Sequence, residues 1–174
     1  MATSKATNVT QKSKLFKTIG TAIVFLIIVS VSAATCVKRE SSRIIEALTQ
    51  LQVIRMMIKQ EFNSEQNYKL LGTDGITGNT IAISAGLFPD SMKKGDGASG
   101  IKNPWNGNVT LKVATNPKHF SITAKKVPHD ACIKLGEMQD WLSITRDSES
   151  GASVKGSDAS ENCKENNTLV FVAD

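Results

Sequence analysis

Histidine and cysteine are scarce in this chain of 174 residues, which has two of the first and three of the second. A metal centre draws three or four ligands from such side chains and carboxylates at short spacings, and no such spacing occurs here. His119 borders an expected strand and His129 sits in a Pro-His-Asp turn, each on its own. Aromatic residues make up only 5% of the chain, so Trp105 and Trp141 read as packing residues, with no series of platforms for stacked ligands. The stretch "GTDGITG" lacks the Gly-Lys-Ser/Thr ending that holds a nucleotide and its magnesium, and reads as a turn. Gly-x-Ser-x-Gly is missing, as is the Asp-x-Asp-x-Asp-Gly pattern of a calcium loop. The carboxylates read as ordinary surface acids. Together these absences argue against an enzyme and against any cofactor.

Acid is absent before Glu40, whereas Lys5, Lys12, Lys14 and Lys17 come early. The formal charge of +5 therefore belongs to the N-terminal flank, because residues 41–174 carry fifteen basic and fifteen acidic side chains. A chain whose folded part is neutral presents no basic face, and nucleic acid is not an expected partner.

Charge is also absent from Thr18 to Val37, twenty residues whose polar groups are small hydroxyls and one thiol. As a helix this run spans roughly 30 Å, the thickness of a bilayer core. The lysines before it place residues 1–17 in the cytoplasm by the positive-inside rule, and the remainder outside. Cys132 and Cys163 would then share an oxidising compartment, where a disulfide between them is expected. Closing that loop would stabilise the domain by roughly 3–4 kcal/mol. The run by itself has three readings. It can be a permanent anchor, a helix that packs against copies of itself, or a discarded export signal cut after "VSA" at Ala33. The last would release a secreted binding protein, and an acylated version at Cys36 lacks a proper lipobox.

Beyond the run the helical period persists. Ile44, Leu48, Leu51, Ile58 and Phe62 recur on one face, with Arg55 as the exception in the stripe. No Pro or Gly interrupts, so the simplest reading is one helix over about 18–63, apolar all round in its first half and amphipathic in its second. A Gly-, Asn- and Ser-rich region follows, with a short helix expected over "NTIAISAG". In "NPWNGNVTLKV", Asn106-Gly107 suits a tight hairpin, and Val109, Leu111 and Val113 alternate as on a half-buried strand. "HFSITAKKV" and the terminal "TLVFV" read as further strands, and "IKLGEMQDWLSIT" as a short helix or strand. Residues 147–162 read as a polar loop. It and 93–101 are the expected outward-facing loops. The fold class is α+β, with a long N-terminal helix on a small antiparallel sheet and a disulfide-closed C-terminal region.

Several of these pieces, in this order, resemble a type IVb pilin, in particular the major pilins of conjugative-plasmid thin pili. They are a basic leader ending at Gly20 with the apolar helix directly after it, "SAGLFPDSM", "NPWNGNVTL", "FSITAKKVPHDACIKL" and Cys163 near the end. "NPWNGNVTL" is similar to the family's Asn-x-Trp-Gly-Gly-x-Val turn, here Asn103, Trp105 and Gly107 with Asn106 in place of the first Gly. The resemblance implies a structural subunit of a pilus, made as an inner-membrane prepilin. A prepilin peptidase would cut between Gly20 and Thr21, and pilus assembly machinery would then build a surface filament from copies of the chain or related pilins. It divides the chain into a leader (1–20), an N-terminal helix (21–63, with the membrane and polymerisation half at 21–40) and a globular domain (64–174). A cell-surface receptor is a further implied partner, through adhesion or conjugation. One departure stands out: the family's Glu at mature position five is Phe25 here.

Overall fold

The computed structural model describes residues 38–147 and 151–174. Arg43–Asp174 forms one compact unit, distinct from Met1–Ser42. Residues 38–61 are helical (α1). The first half of the expected helix lies outside the described residues. Among the described residues no helix is long and apolar enough to cross a membrane.

Within α1 the buried positions are Ala47, Gln50, Leu51, Ile54 and Ile58, followed by Phe62 in the turn beyond. Steps of three and four keep them on one face. Leu51, Ile58 and Phe62 are buried as the period predicts. Ile44 and Leu48 lie at the margin of the stripe, half-buried against the core. Arg55 breaks the stripe, and its Nε is buried without a hydrogen-bond partner among the described residues. Its guanidinium sits 6.0 Å from the centre of the Trp141 ring and 3.9 Å from Asp174 Oδ1, an oxygen that Lys59 Nζ also approaches to 3.6 Å. A cation over an indole face keeps its charge while its stem covers apolar surface.

A short helix, Gly75–Ser84 (α2), follows. It begins four residues before the expected "NTIAISAG", so the reading of "GTDGITG" as a turn holds only for its first half. The reason is local. Asp74 Oδ1 accepts hydrogen bonds from the backbone N–H groups of Ile76 at 3.0 Å and Thr77 at 2.7 Å, which caps the helix there. Gly78 lets α2 press onto the sheet, since a Cβ at that position would stand 1.8 Å from the carbonyl oxygen of Leu111.

Four strands make one antiparallel sheet: Val109–Val113 (β1), Phe120–Val127 (β2), Ser143–Arg146 (β3) and Asn167–Ala173 (β4). Their order is β1-β2-β4-β3, so the last strand of the sequence lies inside the sheet. A run as apolar as "TLVFVA" belongs there, with neighbours on both edges. Register pairs Leu111 with Ile122 and Ile122 with Phe171, which lines up the face turned to α1. Ring contacts bind the two layers: Phe62 to Tyr68 (5.6 Å), Tyr68 to Phe120 (4.9 Å), Phe120 to Trp141 (6.3 Å) and Trp141 to Phe171 (5.3 Å). Five aromatic residues thus meet at the helix–sheet junction, where large rings bury much area.

"IKLGEMQDWLSIT" contains both expected alternatives, a helix His129–Gly136 (α3) and then β3. Of the polar loop expected over 147–162, residues 148–150 lie outside the described residues, and 151–162 depart from that reading. Arg146 N–H donates to the Ala152 carbonyl and Val154 N–H to the Ile144 carbonyl, at 2.9 and 3.0 Å. The 151–154 segment therefore borders the outer edge of β3, with Val154 fully buried. Ala159–Asn162 (α4) then leads into Cys163. One buried valine among hydroxyls and acids anchors this segment, a signal too small for composition to register. The 93–101 loop is closed by a Lys93–Ile101 bridge, and its residues 93–97 are exposed as expected.

Candidate functional site

The chemistry of the described residues is that of joints between elements. The turn expected at Asn103, Trp105 and Gly107 is the clearest. Asn103 Oδ1 accepts from the backbone N–H groups of Trp105 at 3.1 Å and Gly107 at 2.8 Å, while its Nδ2 donates to the Lys125 carbonyl at 2.6 Å. One side chain therefore closes the turn and fastens it to β2. Gly107 is required sterically, because a Cβ there would lie 1.7 Å from the Lys125 oxygen. Asn106 has φ +60°, a left-handed conformation that Gly takes freely and Asn tolerates best among other residues. This is why Asn can stand where the resembling family has Gly. Trp105 is half-buried and packs against the core.

Two further buried asparagines do the same work and carry no motif in the sequence. Asn79 donates from Nδ2 to the carbonyls of Ala98 (2.7 Å) and Val109 (2.8 Å) and accepts at Oδ1 from Leu111 N–H (2.8 Å). It locks α2 to the start of β1. Asn167 donates to the Val127 and Lys164 carbonyls, at 2.9 and 2.6 Å, and accepts from Lys164 N–H at 2.8 Å. An Asn-Thr pair directly before an apolar run, as in "NTIAI" and "NTLVFV", is the sequence hint of such a role.

Cys132 and Cys163 are disulfide-bonded, with their Cα atoms 5.9 Å apart. The bond joins α3 to the end of α4, one short stretch before the central strand β4. His129 opens α3 and pairs with its neighbour Asp130 at 3.1 Å, both at the surface. His119 lies just before β2. Among the described residues no group of three or more His, Cys, Asp or Glu side chains is placed to hold a metal ion. Gly20, Thr21 and Phe25 lie outside the described residues.

A family model described as PilS N terminal matches residues 40–174. Among solved structures, the crystal structure of TcpA, a type IV pilin from Vibrio cholerae El Tor biotype, is similar with a TM-score of 0.55 at 13% identity, covering 76% of this chain and 99% of that one. At such identity the likeness speaks for the fold, and no curated protein matches. The family match spans the helix, the Asn103 turn, the disulfide and the sheet in order, and the chain belongs to the PilS family of type IV pilins.

Proposed function

We propose that the chain is the structural subunit of a type IVb pilus or pilin-like filament. It enters the inner membrane through Thr18–Val37, is cut between Gly20 and Thr21 by a prepilin peptidase, and is assembled by pilus machinery into an extracellular filament. One observation carries the reading: the family match starts at residue 40, with only Lys38 and Arg39 between it and an uncharged run of bilayer length. A helix of that kind is stable in lipid and leaves it only for an equally apolar environment, which a bundle of copies supplies. Ala22, Ser30, Ser32, Ala33 and Ala34 permit close approach within such a bundle. The leader 1–20, the helix 21–63 and the domain 64–174 are then the three working parts, and conjugation or adhesion through a cell-surface receptor are the roles such a filament serves.

Phe25 favours a second reading. With the family's glutamate replaced, a mature amine inside the bundle has no carboxylate partner, which is costly in an apolar surround. A pilin relative that stays anchored without polymerising, or a secreted binding protein, avoids that cost. The decisive experiment is intact mass and N-terminal sequence of the protein from membrane and sheared-surface fractions of its native host. A start at Thr21 in the sheared fraction is the expected result. An uncleaved terminus confined to membranes, or a soluble form starting at Ala34, overturns it.

A further inference from the structure

The turn that Asn103 closes contains Asn106-Gly107, the one Asn-Gly pair in the sequence. Asparagine is thermolabile, and most of all before glycine, because it degrades by cyclisation. The backbone nitrogen of the glycine attacks the side-chain Cγ of the asparagine. A new N–Cγ bond forms, the Cγ–Nδ2 bond breaks, and ammonia leaves with the proton that the backbone nitrogen gives up. Water then opens the ring imide at either carbonyl, leaving aspartate or isoaspartate. Glycine has no Cβ to hinder the approach. The Asn106 side chain is exposed, so burial does not shield it.

We infer that Asn103, besides closing the turn, protects Asn106 from this cyclisation by holding the attacking nitrogen. The Gly107 N–H donates to Asn103 Oδ1 at 2.8 Å. To react, that nitrogen must give up the hydrogen bond and its proton and align with Cγ of Asn106 at about 3–3.5 Å. Two backbone hydrogen bonds resist the movement. Asn103 N–H donates to the Gly107 carbonyl and Asn106 N–H to the Asn103 carbonyl, both at 2.9 Å. Gly107 is itself buried and packed against the Lys125 carbonyl, which leaves it little room to turn. The chain carries its own comparison in Asp96-Gly97, which can form the same imide with water as the leaving group. That reaction is intrinsically the slower one, because a carboxylate is a poorer electrophile than an amide. Both residues of that pair are exposed, and the Gly97 N–H donates to no group among the described residues. The fold therefore inverts the intrinsic order of the two sites. The inference concerns the Asn103 turn alone and stands whether or not the chain polymerises.

The test is peptide mapping by mass spectrometry of the full-length chain, aged in detergent micelles at mildly alkaline pH and, in parallel, unfolded in guanidinium chloride. Isoaspartate is read by enzymatic methylation. In the unfolded chain the Asn106 amide should be lost well before isoaspartate accumulates at Asp96. In the folded chain Asp96 should convert first, with loss of the Asn106 amide slowed at least about tenfold, the upper worth of one hydrogen bond. Asn103→Ala should return most of that factor while circular dichroism shows the chain still folded. Val154→Ala, which weakens the opposite edge of the sheet, should not. If Asn103→Ala does not fold, the order of conversion in the wild type decides alone. Loss of the Asn106 amide ahead of Asp96 in the folded wild type overturns the inference. So does a folded Asn103→Ala chain that keeps its Asn106 amide as long as the wild type. Equal acceleration by Asn103→Ala and Val154→Ala also overturns it, since the protection would then belong to global stability.

Discussion

Asn79 shows how much of this fold depends on single polar side chains. It is fully buried and its amide closes hydrogen bonds to three backbone groups on two other segments. Removing it orphans those groups away from water, so Asn79→Ala should cost roughly 2–4 kcal/mol. Urea unfolding of the purified chain measures this, with a lowered midpoint and an unchanged slope. Asp74 acts at the surface instead. Its carboxylate is held below its ordinary value of 3.8, first by the Thr77 backbone N–H, then by the Thr77 hydroxyl and the other cap hydrogen bonds. A folded-state pKa below the unfolded one means that its contribution is present above the unfolded value and is lost as pH falls through the folded one. Asp74→Asn, which still caps, should make the acid limb of the stability–pH profile shallower below about pH 4. An unchanged acid limb would show that other carboxylates govern it.

Among the elements, β4 depends most on distant support. It is central in the sheet, yet it comes last in the sequence and follows an irregular segment, so its pairing closes long loops. The disulfide shortens that search by tying α3 to the residue after α4, with a sequence separation of 31. The double substitution Cys132→Ser and Cys163→Ser should lower stability by about 3–4 kcal/mol, read as an earlier thermal transition. Hydrogen exchange should rise first in β4 and β3. Uniform exchange across the whole sheet would mean that the bond only limits the unfolded state. The edge segment at 151–154 belongs to the same unit, because Gly136 has no room for a Cβ, which would lie 2.0 Å from the Val154 oxygen. Deleting that segment to probe adhesion would therefore disturb the sheet. Substitutions at exposed Ser157 and Asp158 examine the same surface without that cost.

For the whole molecule, the question is how the uncharged run and the folded unit cooperate. If the chain polymerises as proposed, Phe25→Glu supplies the carboxylate that the mature amine otherwise lacks. Filaments of this variant should dissociate at a higher temperature than the wild type, followed by sedimentation of sheared material. The substitution places a charge in a membrane segment, at about 2.5–3.5 kcal/mol by insertion scales, so membrane yield is measured alongside. Equal dissociation temperatures with equal yield would mean that the amine is compensated elsewhere in this chain.

What the amino-acid order determined by itself was periodic or covalent. The amphipathic period of α1, the alternation in β1 and β2, the asparagine–glycine turn and the pairing of two cysteines rest on neighbours a few residues apart or on a single bond, and all were legible. So was the family resemblance, since the Asn103 turn and the "FSITAKKVPHDACIKL" run are contiguous. Tertiary structure alone decided that β4 lies between β2 and β3, that Val154 draws an apparently polar loop onto the sheet edge, and that Arg55 in the apolar stripe faces Trp141 and Asp174. It also decided that Asn79 and Asn167 are buried joints and not surface amides. The physical reason is common to all of these. Each depends on groups tens of residues away, whose approach is set by loop closure and packing, and local sequence carries no term for either.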